Sequence, residues 1–557
     1  MGPKHRLENQ VHRRPSQRRR QTIRPRRAHA RRRRHPRAHT RRCRSHGPVG
    51  ARLARALVCE NHFITPMKLP RLPGLLSVGL CLLVTAGAAT HRVANPAELA
   101  SALSAAAPGD TIILADGEWR DTSLDLARGG TSDAPLRVRA QTPGGVTLTG
   151  KSHLAFSAPH IEVSGLRFLR ATPPPKRNIV DFASHDCRLT DSAIVDCNPE
   201  IPGAGYYWIY FKGDRNRADH LLVSGKNHHQ PVVGNNLGGS RHNTVDHCHF
   251  KDIARVPKNG REIFRIWGYG GNEELGPDGA FFTIESNLFE QAHGEAMEII
   301  SLKSNRNTVR NNTIRGTSGG ITNRSGNYNV IEGNFIFGDG VRDAYGMRIT
   351  GRHHRIVQNY IEGCATGIGL MSGELFLEAL TEKFEPILRD KTVHGRVPRY
   401  NQPRYTVVAY NTLVDNAGFD IAVGRDYKSG WPKAQRVLLP ESCQIVGNLI
   451  RKTGAGAKSP AIVITAPDRA PPLDTLAFAP CHYEGNLVDG GEAVSTNQIQ
   501  AGVEPGARIE WRRGADDVLR PVLPELAANA PGARSLFIGT EGAFRVLTPA
   551  DVGPSWK

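Results

Sequence analysis

The chain has 557 residues, 39% of them hydrophobic and 22% charged, with a formal net charge of +21. Its leucine, isoleucine and valine content excludes wholesale disorder, and 58 glycines with 37 prolines argue against a helical bundle. The length suits about three or four average domains, or one extended repeat domain.

The positive charge suggests a nucleic-acid-binding protein, but it is concentrated at one end. Of 73 Lys and Arg and 52 Asp and Glu, residues 1–66 hold 20 and 2, and residues 67–88 add only Lys68 and Arg71. Residues 89–557 are left with 51 basic and 50 acidic side chains. So balanced a body gives no global reason for a polyanion-binding surface, and no nucleic acid is expected as a partner.

Residues 1–66 include Arg18-Arg19-Arg20 and the run Arg31–Arg34, with few residues able to build a core. They read as a disordered basic segment that is not part of the native product. At Met67 the chain becomes Met-Lys-Leu-Pro-Arg-Leu-Pro, followed by an apolar run from Leu75 to Val84 and by Thr85-Ala-Gly-Ala88. A positive start, an apolar middle and small residues at the end follow the order of a secretory signal peptide over 67–88. The apolar run is too short for a stable membrane span. The mature chain is therefore expected to begin near Ala89 and to work as a secreted or periplasmic protein. Cys187, Cys197, Cys248, Cys364, Cys443 and Cys481 fall in the body without a CxxC motif and read mainly as buried small hydrophobes.

Residues 89–500 read as one repeat domain. Pro96 opens an alanine-rich helix that Pro108-Gly109-Asp110 stops, and the strand Thr111–Leu114 follows. Such a helix can cap the open end of a sheet. Short strand-like pieces then recur: Asn307-Thr-Val-Arg-Asn-Asn-Thr-Ile314, Asn329-Val-Ile-Glu-Gly-Asn-Phe-Ile336, His354-Arg-Ile-Val-Gln-Asn-Tyr-Ile361 and Cys443-Gln-Ile-Val-Gly-Asn-Leu-Ile450. Asparagines at 287, 312, 334 and 359 lie 25, 22 and 25 residues apart, and those at 411, 448 and 486 lie 37 and 38 apart, as if loops were inserted between coils. A coil of this length supplies three short strands, and coils stacked about 4.8 Å apart build parallel sheets around a continuous interior. The asparagines are expected at turns, in an unusual backbone conformation and bonded to their equivalents above and below. Propeller blades need longer repeats. The fold class is therefore all-β, a parallel β-helix with an N-terminal capping helix. Segments 203–240, 268–280 and 372–400 are flanking loops, and 501–557 is a C-terminal cap.

The densest polar constellation lies inside the regular coils: Asn259-Gly-Arg-Glu-Ile-Phe-Arg265, Gly294-Glu-Ala-Met-Glu-Ile-Ile-Ser-Leu-Lys303-Ser, Asn323-Arg324-Ser-Gly326 and Gly346-Met-Arg348-Ile-Thr-Gly-Arg-His-His354. Lys303 and Arg324 are 21 residues apart, close to one coil, and two stacked cations point to an anionic ligand between them. Glu295, Glu298 and the Asn259 amide offer the hard oxygen ligands that Ca²⁺ prefers.

These segments resemble polysaccharide lyase family 6, which contains alginate lyases and chondroitinase B; the resemblance runs from the Asn95 region to about residue 450. It implies a right-handed parallel β-helix that cleaves an anionic uronate polysaccharide by β-elimination, generally with Ca²⁺. It implies Lys303 as catalytic base, Arg324 at the position of the catalytic acid, and Asn259 and Glu298 as calcium ligands, with Glu295 beside them. Arg265, Arg348 and His354 fall where groove residues contact sugar carboxylates. Two departures stand out. The family's Glu-x-Glu is here Glu295-Ala-Met-Glu298, which on a regular strand splits the pair across two faces unless a bulge intervenes. Its Arg-His-Gly is here Arg324-Ser325-Gly326. Alginate is the expected substrate. A dermatan or chondroitin lyase, a C5 epimerase and a noncatalytic carbohydrate-binding β-helix are the competing readings. Monomer and dimer are both open.

Overall fold

Short runs of Val, Ile, Leu, Phe and Thr, each broken by Asn, Asp or Gly, form strands of three to eight residues. The computed structural model describes residues 87–557 except 202, 237–239, 257, 269–278, 296, 376–399, 430–434, 472, 496–500, 507 and 523–543. The chain divides into units 1–82 and 83–557, and the described residues all fall in the second. The basic segment 1–66, the expected signal peptide as far as residue 86 and the cores of the segments 268–280 and 372–400 lie outside the described residues. Among the described residues, no helix is long and apolar enough to cross a membrane.

Each strand pairs in parallel with its equivalent one coil on. Thr308–Arg310 lies beside Val330–Glu332 and that beside Arg355–Val357, while Thr313–Arg315, Phe335–Phe337 and Tyr360–Glu362 repeat the pattern on the next face. One sheet of twelve strands runs from Ser123–Leu126 to Ile462–Ile464. A second, of 26 strands, bends into two faces. Arg188–Val195 and Arg217–Ser224 pass through that bend unbroken, each with one left-handed residue in it, Asp191 (φ 47°) and His220 (φ 51°). The faces enclose one apolar core extending from Val93 to Val503. Within it Phe156, Phe182 and Phe211 stack at 4.6 and 4.7 Å, the spacing of the rungs themselves. The architecture is the right-handed parallel β-helix.

The seven spaced asparagines form one buried ladder. The Oδ1 of Asn312, Asn334, Asn359, Asn411, Asn448 and Asn486 each accepts the backbone N–H of the asparagine one coil earlier, at 3.0–3.2 Å. The ladder is unbroken across the 52 residues between Asn359 and Asn411, so the inserted loop leaves the register untouched. The left-handed conformation falls one residue earlier than expected. Ser286, Asn311, Gln358 and Tyr410, with Gly333, Gly447 and Gly485, take positive φ, and each ladder asparagine that follows is free to turn its amide inward.

Helix α1 (Pro96–Ala105) starts as expected. The Asn95 side chain accepts from Glu98 N at 2.9 Å, the Glu98 carboxylate answers to Ala94 N at 2.7 Å, and Leu99 and Ala102 seal the first rung. The C-terminal region differs from the cap read from the sequence. Val503–Pro505 adds a rung, but the hairpin Glu510–Arg513/Leu519–Val522 packs sideways on Phe335, Phe337 and Tyr360. Residues 544–557 then run back along the outside, bonding Asn311, Thr313, the His247 carbonyl and finally the Asp191 carbonyl through Trp556 Nε1. The acceptors left over where the coils bend draw the tail along the flank. No disulfide joins the six body cysteines; five are buried and Cys481 is half-buried.

Asn334 Oδ1 accepts both from Asn312 N (3.1 Å) and from Asn312 Nδ2 (3.0 Å). Asn334→Leu strands those buried donors, and a loss of about 1–3 kcal/mol is expected for each group left unpaired. A lowered urea midpoint with unchanged far-ultraviolet circular dichroism is the predicted result.

Candidate active site

The polar constellation sits on consecutive rungs of the twelve-stranded sheet: β1 (Phe264–Trp267), β2 (Glu298–Lys303), β3 (Gly319–Ser325) and β4 (Ala344–Ile349). Strand alternation sends Phe264, Ile266, Ile300 and Leu302 into the core. It leaves Arg265 beside Ser301 and Trp267 beside Lys303 on the outer face, with Ser301 beside Thr322 and Thr322 beside Arg348. Between β2 and β3 the register slips: Leu302 faces Asn323 but Lys303 faces Ser325. Arg324 is the extra residue of a bulge, which re-aims its side chain.

Three carboxylates meet here. Oxygens of Glu262, Glu295 and Glu298 all lie within 4.8 Å of one another. The two intervening residues do not split the Glu295/Glu298 pair, because Glu295 precedes the strand. The two glutamates exchange backbone hydrogen bonds (2.6 and 3.2 Å) in a tight reversal that turns both carboxylates to one side. Glu295 Oε2 accepts from the backbone N–H groups of Gly260 and Arg261. Burial, with Glu262 nearby, pushes the Glu295 carboxyl above its ordinary range. Glu298 accepts from Ser301 Oγ at 2.6 Å and from the Arg348 guanidinium, and Arg324 Nε stands 3.8 Å away. Lys303 Nζ donates to Glu262 Oε1 at 3.2 Å, and Arg265 Nε lies 3.6 Å from the other Glu262 oxygen.

Four cations thus surround three acids. Three carboxylates this close are tolerable only with such compensation. Aromatic rings hold two of the cations in place: the Lys303 ammonium lies 4.8 Å from the centroid of Trp267, and the Arg324 guanidinium 4.3 Å from that of Tyr400. Glu262 is 1% exposed and Glu298 6%, whereas the Lys303 and Arg324 side chains keep 15% and 23% of their surface open. The acids form the floor, and the two cations reach solvent above it.

The structure therefore joins Lys303, Arg324, Arg265, Arg348, Glu295 and Glu298 in one place. Asn259 begins the turn that caps Glu295. It is exposed, and its carbonyl accepts from His229 Nε2 at 2.8 Å. His354 is a correction. It is 1% exposed and touches no groove, because it belongs to a second ladder in which Phe282 N bonds Asn307, Asn307 N bonds Asn329 and Asn329 N bonds His354 Nδ1 at 3.1 Å. Its Nε2 faces the Thr350 carbonyl at 3.0 Å. The imidazole here does an asparagine's work, and it braces the Asn323 segment that leads into Arg324.

Glu262 was missed as a member of the acid group, although it stands inside the Asn-Gly-x-Glu motif. Its outward aim depends on the irregular turn before β1, for which sequence has no rule. Arg425, which lies over the bare Gly369 and 5.1 Å from the Phe419 ring, carried no motif. Three hard oxygen donors, with Glu262 Oε2 buried and without a hydrogen-bond partner, fit a divalent cation of the calcium type.

Cationic side chains above an acidic floor on the outer face of a parallel β-helix suit an anionic polymer, and comparison with known proteins identifies the group. The chondroitinase B family profile matches residues 93–469. The PL6 family polysaccharide lyase Pedsa3628 from Pseudopedobacter saltans is 39% identical, with 84% of this chain and 99% of that one covered and a TM-score of 0.70. The PL6 family alginate lyase AlyGC is 28% identical over 84% of this chain and 59% of its own, with a TM-score of 0.68. A mannuronic acid specific family 6 lyase from human gut microbiota is 26% identical over 75% of this chain and 90% of its own, with a TM-score of 0.61. No curated protein matches. The chain belongs to polysaccharide lyase family 6, which includes chondroitinase B and some alginate lyases, and is a polysaccharide lyase.

Burial holds His354 at about 4 and His228 at about 3, both below the ordinary histidine value. Between about pH 6.5 and those values the unfolded chain binds more protons than the folded one, so stability present above pH 6.5 is lost as the pH falls. His354→Asn keeps a ladder acceptor and removes one titration. Its urea midpoint should fall less than that of the wild type between pH 7 and pH 5.

Proposed function

We propose that the protein cleaves a 1,4-linked uronate polymer of the alginate class by β-elimination. The observation that carries this reading is the convergence of Lys303 and Arg324 on a single acid cluster at the outer face. The alginate lyase and mannuronic acid specific enzymes among the similar structures support the choice of polymer.

In this reading Lys303 first gives its ammonium proton to water and then, through the freed Nζ lone pair, takes the proton from C5 of the bound uronate. Before it can do so it has to exchange its hydrogen bond to Glu262 for the substrate. The C5–H electron pair forms the C4–C5 double bond, the C4–O4 bond breaks, and O4 leaves with the rest of the chain and collects a proton from water. A guanidinium does not give up its proton near neutral pH, so Arg324 acts by stabilising the charge that grows on O4. Arg265 and Arg348 hold sugar carboxylates along the groove. Calcium held by Glu262, Glu295 and Glu298, with the neighbouring Asn259, would neutralise the uronate carboxylate and so favour loss of the C5 proton.

Two tests follow. Lys303→Ala should lower the release of ultraviolet-absorbing unsaturated product by at least about 100-fold with unaltered circular dichroism. Arg324→Ala should lower it by about 100- to 1,000-fold. Wild-type rates of product release by Lys303→Ala would remove the proposed base. Assays on poly-mannuronate, poly-guluronate and dermatan assign the polymer, and a clear preference for dermatan would overturn the alginate reading. Separately, calorimetric titration with calcium alone should show binding to the wild type and a loss of at least about tenfold in affinity in Glu262→Gln. Equal affinity in the two proteins would exclude Glu262 as a ligand.

A further inference from the structure

Cys443 and Cys481 stand on neighbouring rungs. Gln444, Ile445 and Val446 pair in parallel with His482, Tyr483 and Glu484. One residue earlier, that register sets Cys443 directly against Cys481, and the His482 N–H donates to the Cys443 carbonyl at 2.8 Å. Paired strands lie about 4.8 Å apart, inside the range of about 4.4–6.8 Å that a disulfide spans between α-carbons. The other body cysteines lack such a neighbour. Cys187, Cys248 and Cys364 each have a ladder-type asparagine on the next rung, at Asn216, Asn287 and Asn416. Register places Cys197 beside Lys226.

We propose that Cys443 and Cys481 form a reversible disulfide that ties together two of the last rungs of the β-helix. Their unequal exposure gives the order of events. Cys481 is half-buried with its sulfur 3.5 Å from the Pro440 carbonyl, whereas Cys443 is fully buried. The hydrogen bond between the two thiols favours the Cys481 thiolate and disfavours that of Cys443. A low-molecular-weight disulfide such as oxidised glutathione therefore meets Cys481 first. The Cys481 thiolate attacks one sulfur of the donor, forms a mixed disulfide and releases one thiol. The Cys443 thiolate then attacks the Cys481 sulfur and releases the second thiol. Two protein thiols are oxidised, the donor disulfide is reduced to two thiols, and two protons leave the cysteines. The bond closes a loop over residues 444–480, which restricts the unfolded chain.

The full chain is incubated with oxidised glutathione, the remaining thiols are alkylated under denaturing conditions, and tryptic peptides are mapped without reduction. The expected product links peptide 437–451 to peptide 470–508, and dithiothreitol separates them. Reduction should lower the melting temperature of the oxidised wild type and leave that of Cys481→Ser unchanged. Full alkylation of both cysteines after oxidation would overturn the proposal. So would a stable glutathione adduct on Cys481 that never resolves.

Discussion

The backbone N–H that each ladder asparagine donates to the side chain of the next is the bond on which the rest of the structure depends. It is buried, it repeats at the spacing of parallel strands, and it has no water to fall back on, so it forbids coils to slide past one another. Fixing the register at one corner fixes it on every face. The site consists of side chains from separate coils, with Arg265, Lys303, Arg324 and Arg348 following one another at 38, 21 and 24 residues, and a slip of one residue would send Lys303 or Arg265 into the core. Loops of any length can be inserted between ladder positions, as between Asn359 and Asn411, without disturbing that alignment.

Irregularity, by contrast, makes the site. On ideal strands the two glutamates would diverge and Arg324 would follow the alternation of its neighbours. A tight reversal before β2 and a bulge in β3 gather three acids and four cations into one group. The acids and cations neutralise one another at the floor, and the heads of Lys303 and Arg324 stay partly open to solvent above it. In the proposed mechanism this electrostatic pairing is exchanged for contacts to substrate, so that binding and catalysis would draw on the same charges.

These two layers differ in how far sequence discloses them. The repeat was legible because a ladder needs the same residue at the same corner of every coil, and so asparagines at 287, 312, 334 and 359 announce themselves. Lys303 and Arg324 were legible because their spacing equals one coil. Glu262 was hidden because its aim depends on a turn, and His354 was misplaced because a histidine among arginines reads as a groove residue. Only the ladder contact to Asn329 shows it substituting for an asparagine. The tail along the flank left no trace in the periodicity, since its bonds join residues 234 and 365 positions apart.

The central claim is that one uronate sits with its carboxylate over the acid group and its C5 hydrogen toward position 303. A crystal structure of Lys303→Ala soaked with calcium and a uronate oligosaccharide tests it most directly. The account predicts a sugar carboxylate beside Glu262, Glu295 and Glu298 and a glycosidic oxygen within reach of Arg324. An oligosaccharide bound on another face, with the acid group holding neither ion nor sugar, would contradict it.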